Sequence, residues 1–234
     1  MKTFLLSGWF AVLSCTSMFG TPCLPGNLQT YSNLGADGCQ VETVQFTNFT
    51  LLPGQTIATP VDPAQVQVAP GGTALDPMLS FTLNRSANAG ENFESFFRFS
   101  ASGFLNAGSI GLTSPRATGD GAVTALLDVC PNGSFSGSVP RGCPNTSASL
   151  VVFAIDQSSL LSDSARFAGS RSADVFVDLT VDGGRTGSAM LNSATVGFST
   201  VPEPSAGPLL ALGLSAFGAL QARRRSIRRR NGRV

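Results

Sequence analysis

The chain has 234 residues, no histidine, and 15 basic against 14 acidic residues, for a formal net charge of +1. The near-neutral total conceals an acidic segment, because residues 21–200 hold seven arginines against thirteen acids, a net charge of −6. An acidic segment repels phosphate groups, which argues against nucleic acid as a partner. The absence of histidine removes the usual general base of hydrolases.

Residues 1–20 are predicted to be a signal peptide. Lys2 provides the positive charge at the start, and residues 4–13 form an apolar core of suitable length. Small residues near Gly20 are suited to cleavage. Lipoprotein processing at Cys15 is the alternative, because the residues before it loosely match a lipobox.

Four cysteines remain after such cleavage, an even number that favours disulfides in an oxidising compartment. Three pairings are possible. We favour Cys23 with Cys39 and Cys130 with Cys143, because each pair closes a short loop rich in turn-forming residues. Each bond is expected to contribute about 3 kcal/mol. A zinc site is the alternative, but the chain lacks histidine and any Cys-x-x-Cys spacing.

The segment between the two ends predicts an all-β domain over residues 21–200. It is rich in Gly, Ser, Thr and Phe and poor in straight-chain helix formers. Alternating apolar and polar residues predict about eight strands, and these favour an antiparallel two-sheet sandwich resembling a jelly roll. The predicted strands lie near residues 41–51, 66–68, 79–83, 93–99, 123–129, 150–155, 173–182 and 187–200.

Three of these segments carry finer predictions. Residues 150–155 are apolar on both faces, which is typical of a central strand. Asp182-Gly183-Gly184 predicts a turn that joins strands 173–182 and 187–200 into a C-terminal hairpin. Residues 157–167 are the one predicted helix of the domain.

The strand at 173–182 also carries the candidate chemistry. Asp174, Asp178 and Asp182 share one face, which suggests a carboxylate-dependent hydrolase or a calcium site. Positions four apart on a strand are about 13 Å from each other, too far for a catalytic pair without help from another strand. We therefore favour a solvated acidic face, with no catalytic residues, no metal site and no cofactor. The thirteen phenylalanines of residues 21–200 are mostly on apolar faces and are interpreted as core.

Residues 201–234 combine three signals in a fixed order. Pro202 and Pro204 favour an extended, exposed backbone around Glu203. Residues 205–222 carry no charge and are just long enough, as a helix, to span a bilayer core. The arginines that follow predict a cytoplasmic end, with the preceding domain outside. These arginines are Arg223, Arg224, Arg225, Arg228, Arg229 and Arg230.

This arrangement resembles the PEP-CTERM sorting signal of Gram-negative bacteria. The resemblance implies that Val201-Pro202-Glu203-Pro204 is recognised by an exosortase, a membrane-embedded enzyme that would cut near these residues. A plain C-terminal anchor with an accidental Pro-Glu-Pro is the alternative.

Two functional hypotheses follow. The first is a non-catalytic, exported surface or extracellular-matrix protein, transiently anchored in the inner membrane with its domain in the periplasm, that serves structure, adhesion or contact with exopolysaccharide. The second is a secreted carboxylate-dependent hydrolase or a calcium-dependent carbohydrate-binding module that uses the acidic face.

Overall fold

The computed structural model describes residues 20–54 and 57–201. All of the predicted signal peptide except Gly20 lies outside these residues, and so does everything after Val201 in the predicted sorting signal. Within the described residues, the chain forms thirteen strands and one short helix, α1 (Leu28–Ser32). The strands are β1 (Gly26–Asn27), β2 (Cys39–Val41), β3 (Val44–Leu51), β4 (Thr59–Pro60), β5 (Gln67–Gly72), β6 (Pro77–Asn88), β7 (Asn92–Thr113), β8 (Arg116–Thr118), β9 (Ala122–Pro131), β10 (Ala148–Ile155), β11 (Ser158–Leu160), β12 (Ser162–Asp182) and β13 (Ser188–Thr200).

Hydrogen bonding joins these thirteen strands into one sheet, with the order β1-β5-β6-β13-β7-β12-β9-β10-β11 along its main path. Off this path, β3 and β4 pair with β7, β2 pairs with β3, and β8 pairs with β13. All strand pairings are antiparallel except that of β4 with β7. The predicted antiparallel all-β domain is confirmed, but the prediction of two separate sheets is wrong.

The single sheet bends back on itself because β7 and β12 run through both of its halves. Residues 92–102 of β7 pair with the end of β12, and residues 105–111 pair with its beginning. Two register shifts interrupt the middle of β12, and such bulges bend a strand. The buried hydroxyl of Ser170 lies at this bend, where it accepts a hydrogen bond from the Asn132 N–H at 2.9 Å and donates one to the Ser172 carbonyl.

Aromatic rings from the two halves meet in one core. The ring centroid of Phe198 on β13 lies 6.1 Å from that of Phe46 on β3 and 6.5 Å from that of Phe99 on β7. Phe81 on β6 lies 4.8 Å from Phe97 on β7. None of these contacts joins hydrogen-bonded segments, so the halves pack face to face. The fold is therefore a two-layered sandwich made from one continuous sheet.

The predicted helix at residues 157–167 is wrong, because this segment forms β11 and the first part of β12. Leu160 and Leu161 are exposed and do not seat a helix on the sheet. Ser162 pairs with Gly111 and extends the ladder between β12 and β7. The period-two pattern of a strand is visible here, since alternate residues of this part of β12 are half-buried: Asp163, Ala165 and Phe167.

Two predictions of strand placement also need correction. The centre of the sheet is occupied by β7 and β12, whereas β10 is second from the edge and exposes Val151 and Ile155 on its outer face. The strand predicted at 187–200 exists as β13, but it does not form a hairpin with β12 because β7 lies between them.

Asp120 holds the connection that carries the chain from β12 to β13. Its carboxylate accepts hydrogen bonds from the backbone N–H groups of Thr186, at 2.9 Å, and Arg185, at 2.8 Å. These two bonds lower the pKa of Asp120 to about 2. Gly184 has a φ of +66°, and a Cβ at this position would lie 2.5 Å from Asp120 oxygens. The turn predicted here therefore redirects the chain across β7 instead of closing a hairpin.

Both predicted disulfides are formed, Cys23 to Cys39 and Cys130 to Cys143. The first joins the N-terminal segment to β2 beside α1. Tyr31 on α1 is buried, donates a hydrogen bond to the Leu24 carbonyl at 2.9 Å and has its pKa raised to about 12 by burial. This tyrosine is therefore part of the core.

Candidate ligand-binding groove

The outer face of the second layer carries carboxylates and aromatic rings from three adjacent strands. On β12 these are Phe176 and Asp178, whose side chains point away from the main core because Val175 and Val177 point into it. The register places β7 on one side of these residues and β9 on the other. The neighbouring strands add carboxylates and large apolar side chains to this face: Glu94 and Phe96 from β7, and Leu126 and Asp128 from β9.

A loop between β9 and β10 covers one end of this face. The Cys130–Cys143 bond closes the loop, and Phe135 within it packs edge-on against Phe176, with the ring centroids 5.2 Å apart. Cys130, Phe135 and Phe176 form a second buried cluster, separate from the main core. Phe176 is therefore part of the floor beneath the loop and is not a solvated surface residue.

An ion pair fastens the same loop to the sheet. Arg98 donates to both carboxylate oxygens of Asp174, with Nε–Oδ1 at 2.7 Å and Nη2–Oδ2 at 2.5 Å. The Phe135 N–H donates to Asp174 Oδ2 at 2.7 Å, and Arg98 also donates to the carbonyls of Phe135 and Gly137. Asp174 is only 3% exposed. The expectation that Asp174 belongs to a solvated face is wrong, because the loop buries it.

The loop and the sheet together enclose a half-open groove with a volume of about 360 Å³. The tip of the loop, Ser138, Val139 and Pro140, forms one wall, and Pro53 and Gly54 also line the groove. The floor is formed by the side chains of the three strands. We call this feature the carboxylate groove, and its floor consists of Glu94, Phe96, Leu126, Asp128, Phe176 and Asp178.

The groove raises the pKa of two of its acids. Burial is the main cause at Asp178, and the negative charge of Glu94 adds to it, so the pKa of Asp178 rises to about 6. Burial also raises the pKa of Asp128, although a hydrogen bond from Ser149 opposes this. The Thr180 hydroxyl donates to Asp178 at 3.1 Å and partly offsets the rise there.

Neighbouring strands bring the acids closer together than one strand could. Glu94 is opposite Thr180 and Asp128 is opposite Phe176, so both are diagonal neighbours of Asp178. Diagonal neighbours on a sheet have Cβ atoms roughly 7–8 Å apart or somewhat less. This spacing is within reach of a shared ligand, whereas Asp174 and Asp182 are each four residues away along β12.

The sequence analysis singled out the acids of β12 but did not identify the residues of β7 and β9 that complete the groove. In the alternating pattern of β7 and β9, the inward-facing residues were assigned to the core. Glu94, Phe96, Leu126 and Asp128 are at the outward-facing positions of the same strands. Large apolar residues at outward-facing positions could have indicated the groove, because a fully solvated face of a sheet is normally polar. Which strands are adjacent depends on the fold and could not be read from the pattern.

The other predicted site residues lie elsewhere. Asp182 accepts a hydrogen bond from the Gly184 N–H at 2.8 Å and serves the turn after β12. Val201 is exposed at the end of β13. Pro202, Glu203, Pro204 and the C-terminal arginines lie outside the described residues.

Two further observations apply to residues 20–54 and 57–201 only. No group of three or more Cys, Asp or Glu side chains in this part of the chain is arranged to hold a metal ion. None of the helices formed there has the length and apolar character to cross a membrane.

Comparison with known families identifies the C-terminal signal. The family model of the PEP-CTERM protein-sorting motif matches residues 200–225. The match begins on the last residue of β13 and covers the Pro-Glu-Pro sequence and the apolar segment. The chain is a PEP-CTERM domain-containing protein: a two-layered β domain followed by this sorting motif. No curated protein matches it.

Similarity to solved structures is weak. TmCBM61 in complex with β-1,4-galactotriose has 10% identity over 73% of this chain and 92% of its own, with a TM-score of 0.28. The enzymatically active domain of bacteriophage CBA120 tailspike protein 4 has 12% identity over 63% of this chain and 19% of its own, with a TM-score of 0.23. Endoglucanase 3 of Trichoderma harzianum, from family GH12, has 10% identity over 69% of this chain and 100% of its own, with a TM-score of 0.21. These scores are too low to bear on ligand or activity.

Replacing Arg98 with Met should destabilise the domain by about 3 kcal/mol, because it leaves the buried Asp174 carboxylate without its cationic partner. The double variant Arg98→Met/Asp174→Leu should recover part of this loss. Urea unfolding of the two variants measures the difference, with the exposed Arg141→Met in the same loop as the control. A loss below about 0.5 kcal/mol, as for an exposed ion pair, would contradict the assigned role.

Replacing Asp178 with Asn should stabilise the domain at pH 8 but not at pH 3.5. The raised folded-state pKa means that ionising Asp178 costs stability from about pH 4 upward, with the full cost, about 3 kcal/mol, present above pH 6. Asparagine avoids this cost, and below pH 4 both residues are neutral. Melting temperatures across this pH range provide the measurement, with the exposed Asp156→Asn as control. An equal effect of Asp178→Asn at both pH values would show that Asp178 is not strained by its neighbours.

Proposed function

We propose that this protein is exported, anchored transiently in the inner membrane and then sorted by an exosortase to the cell surface or extracellular matrix of a Gram-negative bacterium. The motif match at residues 200–225 supports sorting. The two disulfides suit a periplasmic domain. In this proposal residues 205–222 cross the membrane, the arginines from Arg223 to Arg230 remain in the cytoplasm, and the exosortase recognises Pro202-Glu203-Pro204.

We further propose that the domain is non-catalytic and binds exopolysaccharide in the carboxylate groove. One observation carries this proposal: Asp178 and Asp128 line the groove beside the half-buried ring of Phe96, and the buried Glu94 lies next to Asp178. Carboxylates accept charge-assisted hydrogen bonds from hydroxyl groups. Aromatic and aliphatic side chains contact the apolar C–H faces of a sugar ring. A half-open groove with both elements suits part of a polysaccharide chain.

A carboxylate-dependent glycoside hydrolase is the second candidate, and a specific observation favours it. The pKa of Asp178 is raised to about 6 beside Glu94, and such a pair of unlike carboxyls can provide a general acid and a base or nucleophile. The strand register supplies the second acid that β12 alone lacks. We rank binding first because Asp178 and its neighbours can hold a sugar by hydrogen bonds alone, without cleaving any bond.

Replacement of Glu203 with Ala should block sorting while export continues. Full-length protein should accumulate in the inner membrane because the exosortase no longer recognises the motif. Immunoblots of membrane and extracellular fractions provide the measurement, with the exposed Asp156→Ala as a control that leaves the motif intact. Equal processing of the Glu203→Ala variant and the parent would show that an exosortase does not recognise this motif.

Purified protein should bind the exopolysaccharide of the producing cells, and Asp178→Asn should weaken that binding about tenfold or more, the expected effect of losing one charge-assisted hydrogen bond. Affinity electrophoresis measures the binding, with Asp156→Asn as the matched control. A reducing-sugar assay on the same samples should detect no cleavage. Release of reducing ends that Asp178→Asn abolishes would establish the hydrolase instead, and unchanged binding by the variant would exclude the groove.

A further inference from the structure

The folded domain continues to the edge of the sorting motif, with almost no linker. The N–H of Thr200, the last residue of β13, donates to the Leu75 carbonyl at 2.8 Å. The next N–H, that of Val201, donates to the Phe104 carbonyl at 2.9 Å. Only Pro202-Glu203-Pro204 then separate the domain from the apolar segment that starts at residue 205.

Those three residues limit the distance between the domain and the membrane. At 3.3–3.6 Å per residue, the chain from Val201 to Ser205 spans at most about 14 Å. The headgroup layer of a bilayer is itself roughly 5–8 Å thick on each side. If residues 205–222 cross the membrane, the end of β13 must therefore lie at the membrane surface.

The side chains at this end of the domain are apolar and exposed. Leu75, Phe104 and Val201 are 50%, 39% and 48% exposed, and the two hydrogen bonds above bring their backbones together. We call these three residues the exit patch. The guanidinium of Arg171 lies over the Phe104 ring, with Cζ 5.4 Å from its centroid. An aromatic ring and an arginine beside aliphatic side chains are typical of surfaces at the membrane interface.

Charges around the exit patch are mixed. The Thr43 hydroxyl bonds the Ala74 carbonyl at 2.9 Å, so the turn containing Glu42 adjoins the turn of Leu75 and Asp76. The carboxylate of Asp76 accepts a hydrogen bond from the Ser199 hydroxyl at 2.8 Å. Two acids next to one arginine give no preference for anionic lipid. Apolar contact, and not charge, must therefore provide any attraction to the bilayer.

We propose that the exit patch rests on the lipid surface while the protein is anchored, so that the strands of the domain stand away from the membrane. This inference depends on the proposed sorting function, because it requires the anchor. It also sets the position of the carboxylate groove. Asp178 is six residues along β12 from Ser172, which pairs with Ser102 near the exit patch, so the groove lies about 20 Å from the membrane end. At that height the groove can take up polysaccharide before the chain is released.

The chain provides a clean spectroscopic test, because its one tryptophan, Trp9, is in the predicted signal peptide. With Trp9 replaced by Phe, Phe104→Trp places a single tryptophan in the exit patch. Ile155→Trp is the matched control, since Ile155 is 46% exposed and pairs through Ala122 with Asp182, at the opposite end of the strands. Both full-length proteins are reconstituted into phosphatidylcholine vesicles that contain brominated acyl chains.

Both variants should float with the vesicles. Phe104→Trp should show blue-shifted emission and lose most of its fluorescence to the brominated lipid, whereas Ile155→Trp should retain its emission. Flotation with equal, weak quenching of both would overturn the exit-patch proposal and leave the anchor standing. Proteins that do not float at all would overturn the anchor as well. If quenching is weak but Phe104→Ser blocks processing in cells, the patch contacts the exosortase and not lipid.

Discussion

The ion pair between Arg98 and Asp174 is the interaction on which the candidate site depends. It joins the two central strands to the loop closed by the Cys130–Cys143 bond, and Asp174 also accepts the N–H of Phe135 from that loop. Without this attachment the loop would keep its disulfide and the packing of Phe135 on Phe176, but the groove wall at its tip would lose its charged anchor on the sheet. Four further hydrogen bonds offset the cost of burying the two charges. Because these bonds are directional, they fix the position of the loop on the sheet more closely than a purely apolar contact would.

The strands themselves were largely predictable, because alternation along a strand is a local property. The inward residues of β12, from Val175 to Val181, are buried as their spacing indicates, and both disulfides join neighbouring cysteines in the sequence. The connections were not predictable to the same degree. Nothing in Asp182-Gly183-Gly184 shows that β7 will lie between β12 and β13, since that depends on long-range pairing. The strands β7 and β12 are long enough to run through both layers of the sandwich. This length is likewise a property of the whole fold and not of the local sequence.

The candidate site was predicted in part, for the same reason. Three aspartates on one face of β12 were visible in the sequence, but their spacing argued against shared chemistry. The fold changes each of them differently: the loop buries Asp174, the turn uses Asp182, and Asp178 gains Glu94 and Asp128 from adjacent strands. Cross-strand proximity, rather than sequence spacing, creates the groove and raises the pKa of Asp178. The sorting signal, by contrast, is a contiguous motif and was recognisable directly.

Carbon-13 NMR of the side-chain carboxyls can show whether the carboxylate groove binds a sugar. The spectra are recorded as a pH titration with and without oligosaccharides prepared from the exopolysaccharide of the producing cells. The Asp178 carboxyl should titrate near pH 6 in the free protein. The resonances of Asp178, Glu94 and Asp128 should shift together when the sugar is added, while that of Asp156 should not move. Titration of Asp178 as an ordinary aspartate, with no response of these three carboxyls to the sugar, would contradict the groove as the ligand site.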